Sequence, residues 1–200
     1  MKNNYKNDIH LTKKYGTIAG ADEVGRGPLA GPVVAVTIIM PISESDYISE
    51  VDDSKKLTEK KREELFSKII DKAIEYKYCF IDNKEIDNIN ILNSTKKAIR
   101  TSMNKIESNV DLFIVDGNVK IDSEKRYKLI TKGDARSYSI GCASIVAKVL
   151  RDNYMKKISK EYNDYGFESH KGYGTKKHIE AIKKYGPTPI HRKSFITRII

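Results

Sequence analysis

The sequence predicts an α/β fold, with a mixed central sheet flanked by helices. Three observations predict it. Two β-branched apolar runs, TIAGADEV and PVVAVTIIM, come first, separated only by the Gly/Pro-rich GRGPLAG. So tight a link suits neighbouring antiparallel strands. After them, stretches with apolar residues at helical spacing alternate with short apolar strands. That order gives antiparallel strands near one edge of the sheet and crossover units beside them.

Residues 1–16 are polar and read as a flexible, loosely packed N-terminal arm. Residues 17–200 read as a single catalytic-sized domain, with a basic helical C-terminal part from about 138 to 200. The apolar run 33–40 implies a strand buried on both faces. Thr58 is placed to cap a helix on which Leu65, Phe66, Ile69, Ile70, Ala73 and Ile74 share one face. YKYCFID follows as a strand. Residues 84–106 carry Ile86, Ile89, Leu92, Ile99, Met103 and Ile106 near helical spacing. DLFIVDG is a short buried strand, and RYKLITKGD is read as another that ends at Asp134. Residues 138–162 form a long helix and 175–184 a last one. Pro187 and Pro189 then force an extended tail.

The 200 residues carry a net charge of +10, and 39% are apolar. That is enough to bury a core without disulfides or a structural metal. No apolar run approaches the ~18 residues of a membrane span, so no membrane association is expected. Cys79 and Cys142 form no CxxC pair, and His10, His170, His178 and His191 lack zinc-ligand spacing. A cytoplasmic location with both cysteines in the core is expected. Residues 1–119 hold 18 Lys/Arg against 19 Asp/Glu, whereas residues 120–200 hold 19 against 8. A basic excess confined to one segment points to a polyanionic partner, most simply nucleic acid; a lysine-rich solvated surface is the alternative.

Acidic residues that break apolar strands are the informative ones. Asp22 and Glu23 interrupt the first strand, Asp116 ends LFIVD, and Asp134 follows the strand after it. A buried carboxylate is costly unless compensated. The natural compensation for four of them at one sheet end is one or two hard divalent cations, as in two-ion phosphodiester hydrolysis. Taken singly, Asp116 and Asp134 also read as turn residues. Asp22 and Glu23 point to opposite faces of a regular strand, so they can share a site only where the strand ends or bulges. Gly25 and Gly27 make such a turn available. Gly25-Arg26-Gly27 is not a P-loop, but it offers close backbone approach and one charged fork.

Together, GADEVGRGPLAGPVVAV, DSKKLTEKKRE, VDGN, KGD with SIGCASIVAKVLRD, and HKGYGTKKH with GPTPIHRKSF resemble the bacterial ribonuclease HII family, in family order from about residue 18 to 195. The resemblance implies a ribonuclease H-like fold with a helical C-terminal part. It implies an endonuclease that cuts the RNA strand of RNA–DNA hybrids and incises 5′ of single ribonucleotides embedded in duplex DNA. The ends left would be 3′-hydroxyl and 5′-phosphate. Asp22, Glu23, Asp116 and Asp134 match the family's catalytic, metal-binding acids, served by Mn²⁺ or Mg²⁺, two ions during catalysis. Gly25, Arg26 and Gly27 match the loop that senses the ribose 2′-hydroxyl, and Tyr173 the tyrosine at the ribonucleotide junction. Lys55 and Lys56, with basic residues after 120, are expected to meet phosphates; an ordinary solvated pair is the alternative.

Gly141 and Cys142 stand where the family has small alanines, Tyr138 is bulkier than the pattern, and Leu150 replaces a threonine. A monomer without an evident protein partner is expected. The rival within enzymes is ribonuclease HIII, which the short stretch before the first motif disfavours. The rival from another class is a non-catalytic basic RNA- or hybrid-binding protein.

Overall fold

A computed structural model describes residues 2–200. Its elements are α1 (Asn3–Tyr15), β1 (Ile18–Val24), β2 (Val33–Ile39), α2 (Glu59–Lys72), β3 (Glu75–Ile81), α3 (Asn83–Asn104), β4 (Leu112–Asp116) and β5 (Tyr127–Ile130). Then follow α4 (Gly133–Arg136), α5 (Tyr138–Ser159), α6 (Phe167–His170), α7 (Lys176–Tyr185) and α8 (Lys193–Ile196). The five strands form one sheet in the order β3-β2-β1-β4-β5. β1, β2 and β3 pair antiparallel, while β4 lies parallel to β1 and β5 parallel to β4. This is the expected mixed sheet.

Helices cover both faces. α3 packs Ala98, Ile99 and Met103 on one face, against Ala19, Ala21, Ala35 and Val115. α5 packs Cys142, Ala143 and Val146 on the other, against Val36 and Ile38, with α2 alongside. All seven residues of β2 are buried, because both faces of the sheet are covered there. Gly20 decides how close α5 comes. A Cβ on it would lie 2.4 Å from the Ser139 carbonyl carbon, so only glycine lets β1 and the start of α5 touch. Both cysteines are buried and free. Among the described residues no helix is long and apolar enough to cross a membrane.

Four expectations change. The N-terminal arm expected over 1–16 is helical from Asn3 to Tyr15 and packed on the domain. Tyr5 is fully buried against Tyr47 and Tyr138, with ring centroids at 4.3 and 5.2 Å. Asp8 is also fully buried; its Oδ2 accepts from Ser139 N (2.8 Å) and Ser137 Oγ (3.1 Å) at the start of α5. The bulky Tyr138 is thus explained by Tyr5. The strand expected to end at Asp134 stops at Ile130, because Lys132 turns into the left-handed region (φ +56°) and Asp134 falls in α4. Thr58 caps α2 as expected, accepting from Lys61 N at 3.2 Å. The helix ends at Lys72, however, and Ile74 is exposed beyond it. The tail after Pro189 extends only briefly before α8; His191 bridges to Ala30.

Candidate active site

Asp22 and Glu23 leave β1 on opposite faces, Asp22 toward α5 and Glu23 toward α3. Both still reach one cavity, because the strand stops at Val24 and Gly25 turns the chain (φ +95°). β4 runs parallel to β1 with Val115 level with Ala21, so Asp116 arrives beside them. The cavity holds about 380 Å³. Its walls include these three acids, Gly25, Arg26, Gly27 and Tyr173, with Ser54, Lys55, Ser144 and Lys148. Asp134 is buried just behind this lining and meets it through Lys55 Nζ, 3.7 Å from its Oδ2. Lys56 lies outside, 3.9 Å from Asp52.

The acids are held individually. Asp22 Oδ1 accepts from Glu23 N (2.7 Å), Asp116 Oδ1 from Gly133 N (2.6 Å), and Asp134 Oδ1 from Ala135 N (2.9 Å). Arg26 lies 3.5 Å from Glu23. Among the described residues no three His, Cys, Asp or Glu side chains lie close enough together to hold a metal ion. Burial pushes the Asp22 carboxyl well above the usual carboxylate range, and the charges of Glu23 and Asp116 add to it. Burial also raises Glu23, against the pull of Arg26, and raises Asp116, against the Gly133 amide. Burial would lower Lys55, but Asp134, Asp53, Asp22 and Asp116 together raise it. Carboxylate oxygens whose charged forms burial disfavours are the donor type that a hard divalent cation takes.

The glycine loop rests on two buried arginines that the sequence reading left in the basic surface. Arg151 donates from Nε to Pro32 O (2.9 Å), from one Nη to Ala30 O (3.1 Å) and from the other to Lys171 O (2.9 Å). Arg192 donates to Gly31 O (3.0 and 2.8 Å), Arg26 O (2.9 Å) and Gly25 O (2.6 Å). In a trans peptide the N–H points opposite to the C=O. Carbonyls of Gly25 and Arg26 turned inward therefore turn the N–H groups of Arg26 and Gly27 outward. Tyr173 stands across from this loop: a Cβ on Gly27 would lie 3.8 Å from its ring. The Arg151 guanidinium sits 5.8 Å from the same ring. Ser54 and Ser144, 2.9 Å apart, and Lys148 complete the walls. Their only signal was membership of DSKKL and CASIVAKVLRD.

Comparison with known proteins gives the fold class and the family. The fold is that of type 2 ribonucleases H. The crystal structure of ribonuclease H2 from Pyrococcus horikoshii OT3 is similar with a TM-score of 0.76 and 29% identity, over 92% of this chain and 96% of that one. The Ribonuclease HII family model matches residues 19–198, and the chain belongs to that family. It is 51% identical over 186 residues to ribonuclease HII of Acetivibrio thermocellus, covering 93% of this chain and 72% of the relative. It is 50% identical over 190 residues to that of Caldicellulosiruptor saccharolyticus, covering 95% and 92%. The protein is an endoribonuclease of the ribonuclease H class, acting on RNA–DNA hybrids. The reading as a non-catalytic binder is set aside.

Proposed function

We propose that this ribonuclease is divalent-metal-dependent and also incises 5′ of a single ribonucleotide in duplex DNA, leaving 3′-hydroxyl and 5′-phosphate ends. The observation that carries it is the meeting of Asp22, Glu23 and Asp116 in one cavity whose other wall is Gly25–Gly27 and Tyr173. Asp22, Glu23 and Asp116 would hold Mg²⁺ or Mn²⁺, with Asp134 completing the site. Bound there, two such ions supply an activated water and stabilise the leaving oxygen. The N–H groups of Arg26 and Gly27 donate to the ribose edge, the group by which RNA differs from DNA. Tyr173 packs on the sugar across the loop. Lys55 and Lys148 face the phosphate and balance its charge.

The experiment is incision of duplex DNA containing one ribonucleotide, with Mg²⁺, with Mn²⁺ and with chelator, by the wild type and by Asp22→Asn. We expect a cut 5′ of the ribonucleotide that needs the ion and is lost in the variant, while hybrid binding persists. Cleavage in chelator, or full cleavage by Asp22→Asn, refutes the ion assignment. Cleavage confined to long hybrids refutes the single-ribonucleotide activity.

A further inference from the structure

Tyr173 follows two residues in the left-handed region, Lys171 (φ +51°) and Gly172 (φ +85°). Such a bend in a non-glycine residue persists only where its surroundings fix it. Three histidines outside the cavity surround it. His178 and His191 are buried, and His170 stacks on His178 with centroids 4.5 Å apart.

Their tautomers follow from their partners. The backbone N–H of Thr188 can only donate, and it lies 2.8 Å from His191 Nδ1. His191 therefore carries its proton on Nε2, and donates it to His178 Nε2 at 3.0 Å. His178 then carries its proton on Nδ1, and donates it to the Tyr173 carbonyl at 2.9 Å. His170 obeys the same logic: Nδ1 accepts from Gly172 N (3.2 Å) and Nε2 donates to Tyr165 O (2.8 Å). Burial holds both His178 and His191 low, at about 4, so the chain is intact at neutral pH.

We propose that His178, oriented by His191, is a positioning residue for Tyr173. A one-way chain of hydrogen bonds from Thr188 through both imidazoles fixes the Tyr173 backbone, and so places its ring opposite Gly27. This rests on the reading of Tyr173 as the side chain that meets the ribonucleotide. None of the three histidines lines the cavity, so each acts only through Tyr173.

The two amide replacements of histidine separate positioning from mere packing. Asparagine places its NH₂ near Nδ1 and keeps the donor to Tyr173; glutamine reaches the Nε2 side and loses it. Incision at a single embedded ribonucleotide, cleavage of a long hybrid and thermal melting are measured for the wild type, His178→Asn, His178→Gln, Tyr173→Ala and the double variant Tyr173→Ala/His178→Gln. We expect His178→Asn to stay within about twofold of wild type. His178→Gln should lose about tenfold at the embedded ribonucleotide, the scale of one buried hydrogen bond, and far less on the long hybrid. In the double variant it should add nothing to Tyr173→Ala. Equal losses in the two His178 variants, or additive losses in the double, overturn the proposal. Wild-type incision by Tyr173→Ala overturns the underlying reading instead. Should His178→Gln fail to fold, His191→Gln, which keeps a donor toward His178, is compared with His191→Met, which does not; equal incision by these two is equally fatal.

Discussion

Replacing Arg192 with methionine tests whether the buried guanidinium holds the reading loop. Its four hydrogen bonds fall on three carbonyls, those of Gly25, Arg26 and Gly31. A buried hydrogen bond to a charged group contributes about 1.5–3 kcal/mol, so three stranded carbonyls represent a gross loss of roughly 5–9 kcal/mol. The opposing term is the desolvation of the cation. Burial, with Arg151 beside it, pushes the Arg192 pKa down from 12.5 to about 9. At about 1.4 kcal/mol per tenfold change, removing that cost returns roughly 5 kcal/mol. The net is a loss of roughly 2 kcal/mol, or about 4–8 °C in melting temperature for a chain of this size. All three freed carbonyls lie in one loop, so the damage concentrates there. Incision at an embedded ribonucleotide should fall at least about tenfold, more than the melting change alone would give. Arg192→Lys keeps the charge but not the planar fork, and should fall between the two. Melting within 1 °C of wild type with unchanged incision, or a lysine variant equal to wild type, refutes the clamp.

Two further outcomes concern stability. The Asp8 carboxyl is raised by burial to about 6, against the amide and hydroxyl donors of Ser139 and Ser137. A raised folded pKa means stability present below about 4 and lost as pH rises through about 6, by about 3 kcal/mol at pH 8. Asp8→Asn keeps an acceptor for Ser139 N and cannot ionise, so its melting advantage over wild type should grow from pH 5 to pH 8; a pH-independent difference contradicts this. Gly20→Ala drives a methyl into the Ser139 backbone and should cost about 1–3 kcal/mol, read by denaturant unfolding. A neutral result would mean that β1 and α5 are not in backbone contact.

Much of the site was legible because acids are out of place in apolar strands. Asp22, Glu23 and Asp116 announced themselves by interrupting β-branched runs, and the glycines after them announced the turn that lets opposite-facing side chains share one cavity. The N-terminal helix did not announce itself, because two of its buried residues, Asn4 and Asp8, are polar. Asp8 is compensated by Ser137 and Ser139, about 130 positions away in sequence, which no local pattern reveals. The break in α3 at Asn90 (φ +62°), whose side chain caps the second half by accepting from Asn93 N at 3.1 Å, was hidden inside a plausible helical period.

Charge was the most misleading signal, because it counts residues without their depth. The basic excess after residue 120 includes Arg151, Lys171 and Arg192, all buried and aimed at backbone oxygens. These cations cannot release counterions from a duplex. The two arginines act from beneath, drawing six carbonyls of the segments 25–32 and 171 inward; with those of Gly25 and Arg26 held inward, the amides of Arg26 and Gly27 turn outward. Acids and cations therefore divide the cavity by depth and not by sequence half. Carboxylates at the ends of β1 and β4 present acceptors to it, and the Arg192 guanidinium behind the facing loop makes that loop present the donors of Arg26 and Gly27. A phosphodiester beside a ribose needs both, since its phosphate oxygens reach the acids only through a cation, whereas the ribose hydroxyl can accept directly from an amide.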